Sequence, residues 1–323
     1  VIRYMIRRTL FLVIVLVVVS LFTFFVFVKL PAGDPIARAV GRHPSPELVA
    51  QVRKNFGLDR PLWVQYWKFA SGMIPWPGLF LNEKVYFSYR NQTSVKEQIL
   101  DRLPVTVALT IGAAVLWLLI GIPIGIISAI RRGSLLDRAA MIFALIGVSA
   151  PIFWLGLVLL YVFHFRLGWL PTAGLPKGQS VLESVAQGYF VLPWFSLAIT
   201  SAAFYSRMTR GNLIETMAED YIRTARAKGI SERRVIFRHG LRAALTPVVT
   251  MFGMDVAFLL GGAVITESVF QLPGLGQYAL VSLYAADFPA VMGVTLLGAF
   301  FIVVANFIVD VLYAFLDPRV RYT

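Results

Sequence analysis

The chain contains no cysteine. Disulfide cross-links, thiolate zinc sites, iron–sulfur clusters and cysteine nucleophiles are therefore excluded. Histidine is scarce as well: His43, His164 and His239 fall far apart in the topology argued below, and no metal site is expected. No Gly-x-x-x-x-Gly-Lys-Ser/Thr phosphate loop occurs, so the chain is not expected to be an ATP-driven motor itself. The absence of His-Glu-x-x-His and Gly-x-Ser-x-Gly argues against a protease or hydrolase, and no enzymatic activity is expected. Charge is thin, at 15% of residues, and acids are fewer than bases, 17 against 30.

What the chain has instead is apolar length. Hydrophobic residues make up 58% of it and the mean hydropathy is +0.74. One soluble core cannot hide so much apolar surface, whereas lipid can serve as its solvent. The +13 net charge does not mark a nucleic-acid binder, because the basic residues sit between apolar runs and form no continuous face. A hydrocarbon core of about 30 Å takes roughly 20 apolar residues as a helix. Residues 9–28, 103–130, 139–165, 184–206 and 288–309 meet this without interruption, and 243–266 does so but for Asp255. The sequence thus predicts an all-α membrane protein of about six transmembrane helices. The first run follows Arg3, Arg7 and Arg8 as a signal peptide would. It is too long for one and lacks a small-residue cleavage site, so it reads as a retained helix.

Basic residues near the helix ends set the orientation. Arg131, Arg132 and Arg138 crowd one short link, and nine Arg or Lys lie in 207–242. Together with the N-terminal arginines and Arg319 and Arg321 they fall on one side, which is expected to be cytoplasmic and to hold both termini. The division expected is an N-terminal transmembrane helix (1–30), an extracytoplasmic segment (31–102) and a five-helix core (103–323) with an inner loop at 211–246. In the outer segment, Ser45-Pro46-Glu47 reads as a helix start, with Leu48, Val52 and Phe56 at helical spacing and Gly57 to end it. A second short helix carries Trp63, Tyr66 and Trp67, aromatics suited to the membrane–water interface. Glycine and proline recur inside the spans (Gly121, Pro123, Gly125, Gly147, Pro151, Gly261, Gly262, Gly293, Gly298), either for close packing or as hinges. No internal repeat is evident, which weighs against inverted-repeat secondary transporters.

The inner loop is the most informative segment. Met217 to Lys228 reads as a helix with acids early and bases late, matching the helix dipole. Gly229 suits its left-handed end, Ser231 can cap a following helix, and Thr246-Pro247 opens the fifth span. A rigid pair of short helices is more structure than a topology signal needs. In the membrane, Asp255 is the clearest ionisable group and admits two readings. It faces a central pathway, or it is hydrogen-bonded to a neighbouring helix as a packing element. Asp310 and Glu267 are placed near span ends, within reach of water or interface partners. In the outer loop 270–289, the run Pro273-Gly274-Leu275-Gly276 permits tight turning.

Tyr221-Ile222-Arg223-Thr224-Ala225-Arg226-Ala227-Lys228-Gly229, followed by Arg238-His239-Gly240-Leu241-Arg242 and Pro247, resembles the cytoplasmic "EAA" loop of binding-protein-dependent ABC import permeases of the dipeptide/oligopeptide/nickel branch. The wider family has Glu-Ala-Ala where this chain has Arg223-Thr224-Ala225, a departure usual in that branch. The resemblance continues through Gly33-Asp34-Pro35, Arg102-Leu103-Pro104-Val105-Thr106, Gly261 to Glu267, Pro273-Gly274-Leu275-Gly276, and Asp310 with Leu316-Asp317-Pro318-Arg319-Val320-Arg321. It departs at Pro77-Gly78-Leu79-Phe80, where the family often has Gly-Asp-Leu-Gly.

The resemblance implies a permease subunit of an ATP-driven importer in a bacterial or archaeal cytoplasmic membrane, forming half of a pathway for di- or oligopeptides. Glutathione- or nickel-type cargo is the alternative. The implied partners are a second homologous permease, two cytoplasmic ATPases that bind ATP and Mg, and an extracytoplasmic substrate-binding protein; this chain carries no cofactor. The implied coupling residues are Tyr221, Ile222, Arg223, Thr224, Ala225, Arg226, Lys228 and Gly229. Tyr221, Ile222 and Ala225 would offer an apolar docking patch inside a charged rim. Pro273, Gly274 and Gly276 are the candidate contact for the binding protein, or else a structural turn. A self-sufficient secondary transporter or channel would need more midplane ionisable residues, and a membrane scaffold would leave the inner helix pair unexplained.

Overall fold

The computed structural model describes residues 2–26, 45–71 and 85–316. The motifs at Gly33-Asp34-Pro35, Pro77-Gly78-Leu79-Phe80 and 317–321, together with His43 and the side chain of Asp310, lie outside the described residues. The described part is helical save for one two-stranded hairpin. In order it runs α1 (Ile2–Phe24), α2 (Pro46–Phe56), α3 (Leu62–Ala70), β1 (Phe87–Ser88), β2 (Thr93–Ser94), α4 (Val95–Ile130), α5 (Leu135–Ser149) and α6 (Ile152–Leu159). It continues with α7 (Val181–Ala186), α8 (Val191–Met217), α9 (Asp220–Ala227), α10 (Glu232–Ala244), α11 (Thr246–Leu260), α12 (Val264–Val269), α13 (Leu275–Tyr284) and α14 (Phe288–Leu316).

Among the described residues, three helices are long and apolar enough to cross a membrane: Ile6–Phe24, Val95–Ile130 and Phe288–Val309. There are up to five if each of two bent pairs is one span. The expected span at 139–165 is bent by 102° between Leu135–Ser149 and Ile152–Arg166. The cause is Pro151, which has no N–H to continue the helix and drives Ala150 to an extended conformation, φ −77° and ψ 124°. The expected span at 184–206 is also divided, because Ser184 belongs to the separate helix α7 and the long helix starts only at Val191. That helix runs on to Met217 and carries Arg207, Arg210 and Glu215, so it is less apolar than a lipid-facing span. The run at 243–266 ends at Leu260, and the chain turns through Gly262 at φ +122°, a conformation that favours glycine.

The residues form two compact units. The first comprises Val1–Thr106, Ala257–Glu267 and Pro273–Thr323. Its core gathers Phe24, Phe69, Tyr86, Val95, Leu275 and Met292, with α1 packed along α14. Pro46 and Glu47 open α2 as their types require, and Gly57 ends it at φ +67°. The side chains of Leu48, Val52 and Phe56 lie outside the described set. Trp63 and Trp67 are exposed, whereas the Tyr66 hydroxyl is 2.7 Å from that of Ser20. The hairpin is tied to the head of α14 by Ser88 and Asn91, which donate to the buried carboxylate of Asp287.

The second unit comprises Val107–Val256 and Ser268–Leu272. At its centre stands α8, whose Ala198, Ala202, Ala203 and Tyr205 are fully buried. Close packing explains the glycines facing it. A Cβ on Gly125 would lie 2.5 Å from the Ser206 carbonyl, and one on Gly121 2.8 Å from that of Ala202. On Gly112 it would fall 1.9 Å from the Trp194 ring, which is fixed by its N–H bond of 3.0 Å to the Ala108 carbonyl. The recurrent glycines of α4 are thus contact points, and Pro123 sits inside a helix that continues unbroken to Ile130.

Candidate functional site

The basic loop between α8 and α11 is folded as the sequence pattern suggests, with a different start. Its first helix begins at Asp220 and not at Met217, because Glu219 is extended (φ −66°, ψ 150°) and separates it from α8. Asp220 lies in the first turn and Arg226 in the last, each complementary to the helix dipole. Gly229 closes the helix at φ +75°. Ser231 stands at the start of α10 without a side-chain cap. The two helices are clamped instead by Arg226, whose guanidinium donates to both oxygens of Glu232 at 3.0 and 2.7 Å. This pair holds the Glu232 carboxyl below its usual value.

Beneath the clamp lies a small apolar core. Ile222 is fully buried, Ala225 nearly so, and both meet Val235, with Met217 and Ile230 packed against them. This corrects the expected docking patch: Ile222 and Ala225 hold α9 to α10, and of the three apolar residues only Tyr221 is exposed. The exposed surface of α9 consists of Asp220, Tyr221, Arg223, Thr224, Arg226 and Ala227, and the exposed Lys228 follows at its end. The signal was present in the spacing, since residues 222 and 225 share one helix face and 221, 224 and 228 another. Sequence reasoning also missed Phe237 on α10, an aromatic 52% exposed. Between the loop and the ends of α4 and α8 opens a cleft of about 400 Å³, walled by Ile130, Leu213, Ile214, Met217 and Ile236.

Asp255 is half-buried on α11, and the Tyr205 hydroxyl donates to its Oδ2 at 2.7 Å. Tyr205 is stacked on Trp117, with ring centroids 6.0 Å apart. Tyr205 takes only one carboxylate oxygen, and Phe258, one turn along α11, is 69% exposed. A carboxylate on such a stripe is costly against lipid and is tolerated beside water, a polar partner or cargo.

In the loop before α13, Gly274 and Gly276 are buried and not on the surface. A Cβ on Gly274 would fall 2.4 Å from Cδ of Glu267, and one on Gly276 2.7 Å from the Val264 nitrogen. Glu267, placed by the sequence reading within reach of water, is instead fully buried. It accepts hydrogen bonds from the Thr106 hydroxyl (2.9 Å), Ala263 N–H (3.2 Å) and Gln277 N–H (2.8 Å). Thr106 in turn accepts from Leu275 N–H at 2.9 Å, which fixes the direction of its own proton. One carboxylate therefore organises the start of α12, the turn at Pro273–Gly276 and the first turn of α13. His164 faces the Leu170 carbonyl through Nδ1 at 2.9 Å. No group of three or more His, Asp or Glu converges as a metal site among the described residues.

Apolar helices long enough to cross a membrane, with a separately folded helix pair in a basic loop between them, define the class as a multi-pass membrane protein. The family comparison gives the same class a specific identity. Residues 121–322 match the family of binding-protein-dependent transport system inner membrane components, and 1–110 match the N-terminal region of such membrane components. The chain belongs to this family. It is 39% identical over 320 residues to the oligopeptide transport system permease protein AppB of Bacillus subtilis, covering 99% of both chains. It is 38% identical, at the same coverage, to the glutathione transport system permease protein GsiC of Escherichia coli and of Salmonella typhimurium. Among solved structures, the inward-facing MetNI methionine ABC transporter superposes with a TM-score of 0.52 at 19% identity, over 69% of this chain and 97% of that one. That likeness establishes the fold. The chain is thus a membrane permease component of an ABC importer; members of its family are not themselves ATPases and work with an ATPase and a substrate-binding protein.

Proposed function

We propose that this permease imports short peptides, glutathione among them, as one half of a heterodimeric pathway driven by two cytoplasmic ATPases. The carrying observation is end-to-end similarity of nearly equal strength to permeases named for oligopeptides and for glutathione. Their shared chemistry is a short chain of amides with a free ammonium and carboxylates. ATP and Mg belong to the ATPases. The basic residues around α4–α5 and α8–α11 support a cytoplasmic inner loop and cytoplasmic termini.

In this reading the ATPase grips the exposed surface of α9, with Tyr221 as the aromatic anchor and Arg223, Thr224, Arg226 and Lys228 around it. Ile222, Ala225 and Gly229 preserve the shape of the loop. Nucleotide-driven closure of the ATPases displaces α9 and α10 together, because core and clamp make them one body. Asp255 lines the pathway as a carboxylate station for the cargo's ammonium group. The outer turn at Pro273–Gly276 meets the binding protein through the partly exposed Pro273, and its buried glycines supply shape. The test is uptake of labelled di-, tri- and pentapeptides and of glutathione into vesicles holding the assembled complex. Uptake of one or more, strictly dependent on ATP and on the binding protein, is expected. Transport of none of them by an otherwise active complex would overturn the substrate class.

A further inference from the structure

A second carboxylate, distant from the pathway residue, holds together three segments of the second unit. Asp137 lies in the first turn of α5 and is 5% exposed. Arg210, 73 residues away on α8, grips it with two bonds: Nε to Oδ1 at 2.7 Å and Nη2 to Oδ2 at 3.0 Å. The Ser128 hydroxyl, near the end of α4, donates to Oδ1, and the Gly133 N–H of the α4–α5 turn donates to Oδ2 at 2.8 Å. Each oxygen thus receives two donors, and one of them takes the planar fork of an arginine. Such a site fixes orientation as well as distance.

Its place along the chain gives that rigidity a use. Arg210 is two helical turns before Met217, where α8 ends, and only Ala218 and Glu219 separate α8 from the coupling helix α9. Met217 packs against the loop core, and its sulfur would lie 2.7 Å from a Cβ on Gly240 of α10. Displacement of the coupling pair is therefore delivered first to the end of α8. The hydrogen bond from α8 to α4 at Trp194–Ala108 lies near the far end of α8; nearer Arg210 the two helices meet at Gly121 and Gly125, contacts that transmit push but offer no directional hold against sliding. The Asp137–Arg210 fork supplies that hold.

We infer that Asp137 and Arg210 are positioning residues for energy coupling: they make the α4–α5 hairpin travel with α8 when the ATPases move the coupling loop. The inference rests on the coupling reading above. The absence of cysteine allows a direct test. Spin labels are placed at Arg132→Cys in the hairpin turn and Arg233→Cys on the loop, both exposed, in the full complex with cysteine-free partners. Their separation is measured at rest and after vanadate trapping, in the native background and in Asp137→Asn/Arg210→Met, a pair that strands no buried charge. Native labels keep their separation; in the variant it changes on trapping, and uptake per ATP falls about tenfold or more while hydrolysis stays within about twofold. Should the double variant not assemble, Arg210→Lys, which keeps the charge but not the fork, is to show the same uncoupling. An unchanged separation in the variant, or hydrolysis and uptake falling in parallel, would overturn the inference. Failure of the native chain to retain ATPases would instead overturn the coupling reading itself.

Discussion

Replacing Gly274 by alanine should be costly for a reason that a second substitution can remove. The new methyl would stand 2.4 Å from Cδ of Glu267 and 2.5 and 2.6 Å from its oxygens, where about 3.5 Å is comfortable. The carboxylate must retreat by about 1 Å, which stretches its bonds from Thr106, Ala263 and Gln277 past useful range. Overpacking costs roughly 1–3 kcal/mol. Loss of hydrogen bonds to a charged acceptor adds about 1.5 kcal/mol or more. A total of about 3 kcal/mol is expected for Gly274→Ala. Glu267→Ala alone strands three donors in a fully buried site and should cost at least as much. In the double variant the methyl occupies vacated space, so the two costs do not add. A coupling energy of about 2 kcal/mol is expected from mixed-micelle denaturation of the purified chain, followed by tryptophan fluorescence. Additivity within about 0.5 kcal/mol would refute the reasoning, because the carboxylate would then not be what fills the space beside Gly274.

Four further outcomes follow from the loop and the membrane segment. Ile222→Ala removes the centre of the loop core at a local cost of about 2–4 kcal/mol, so protease sensitivity across 218–245 should rise as the ATPases detach. Tyr221→Ala should loosen the ATPases without that sensitivity; a matching rise would place Tyr221 in the core instead. The Arg226–Glu232 clamp is about half exposed and is worth no more than about 1 kcal/mol after solvent screening. Because Glu232 titrates below its usual value, the clamp is fully formed above the ordinary carboxylate range and is lost as pH falls through the depressed value. Coupling should therefore show no pH dependence from this pair near neutrality, and Glu232→Gln should differ little from the native chain there. Asp255→Asn keeps an acceptor for Tyr205 and removes the charge, so uptake should fall at normal expression; wild-type uptake would remove Asp255 from the pathway.

The legible parts of the fold are those that one stretch of sequence decides. Lipid-length apolar runs gave α1, α4 and α14, and capping chemistry gave α2 and the Gly229 end of the coupling helix. The 102° bend was hinted at only by Pro151, since a proline reveals a break but not its angle. Helix α8 was misjudged at both ends: Ser184 belongs to a separate helix, and the helix runs on past Ser206 and Thr209, polar residues buried in a way that hydropathy cannot see. The face of α9 was misassigned for a related reason. Ile222 and Ala225 form an apolar pair, and periodicity does not say whether such a pair meets its own chain or a partner. The two organising carboxylates were hidden by distance: Glu267 finds Thr106 161 residues away, and Asp137 finds Arg210 73 residues away. Asp255 was visible because a lone acid in an apolar span stands out, and its bond to Tyr205, 50 residues away, was not.

The central claim is that this chain is a passive pathway moved by ATPases through the exposed surface of α9. The most direct test is ATP-driven uptake of labelled di- and tripeptides into vesicles containing the chain with its partner permease, ATPases and binding protein. It is run with the native chain, with Arg223→Glu, and without the ATPases. The account predicts uptake by the native complex, its loss in Arg223→Glu together with ATPase detachment while the helix pair stays folded, and none without the ATPases. Uptake that persists without them would contradict the claim and make the chain a transporter in its own right.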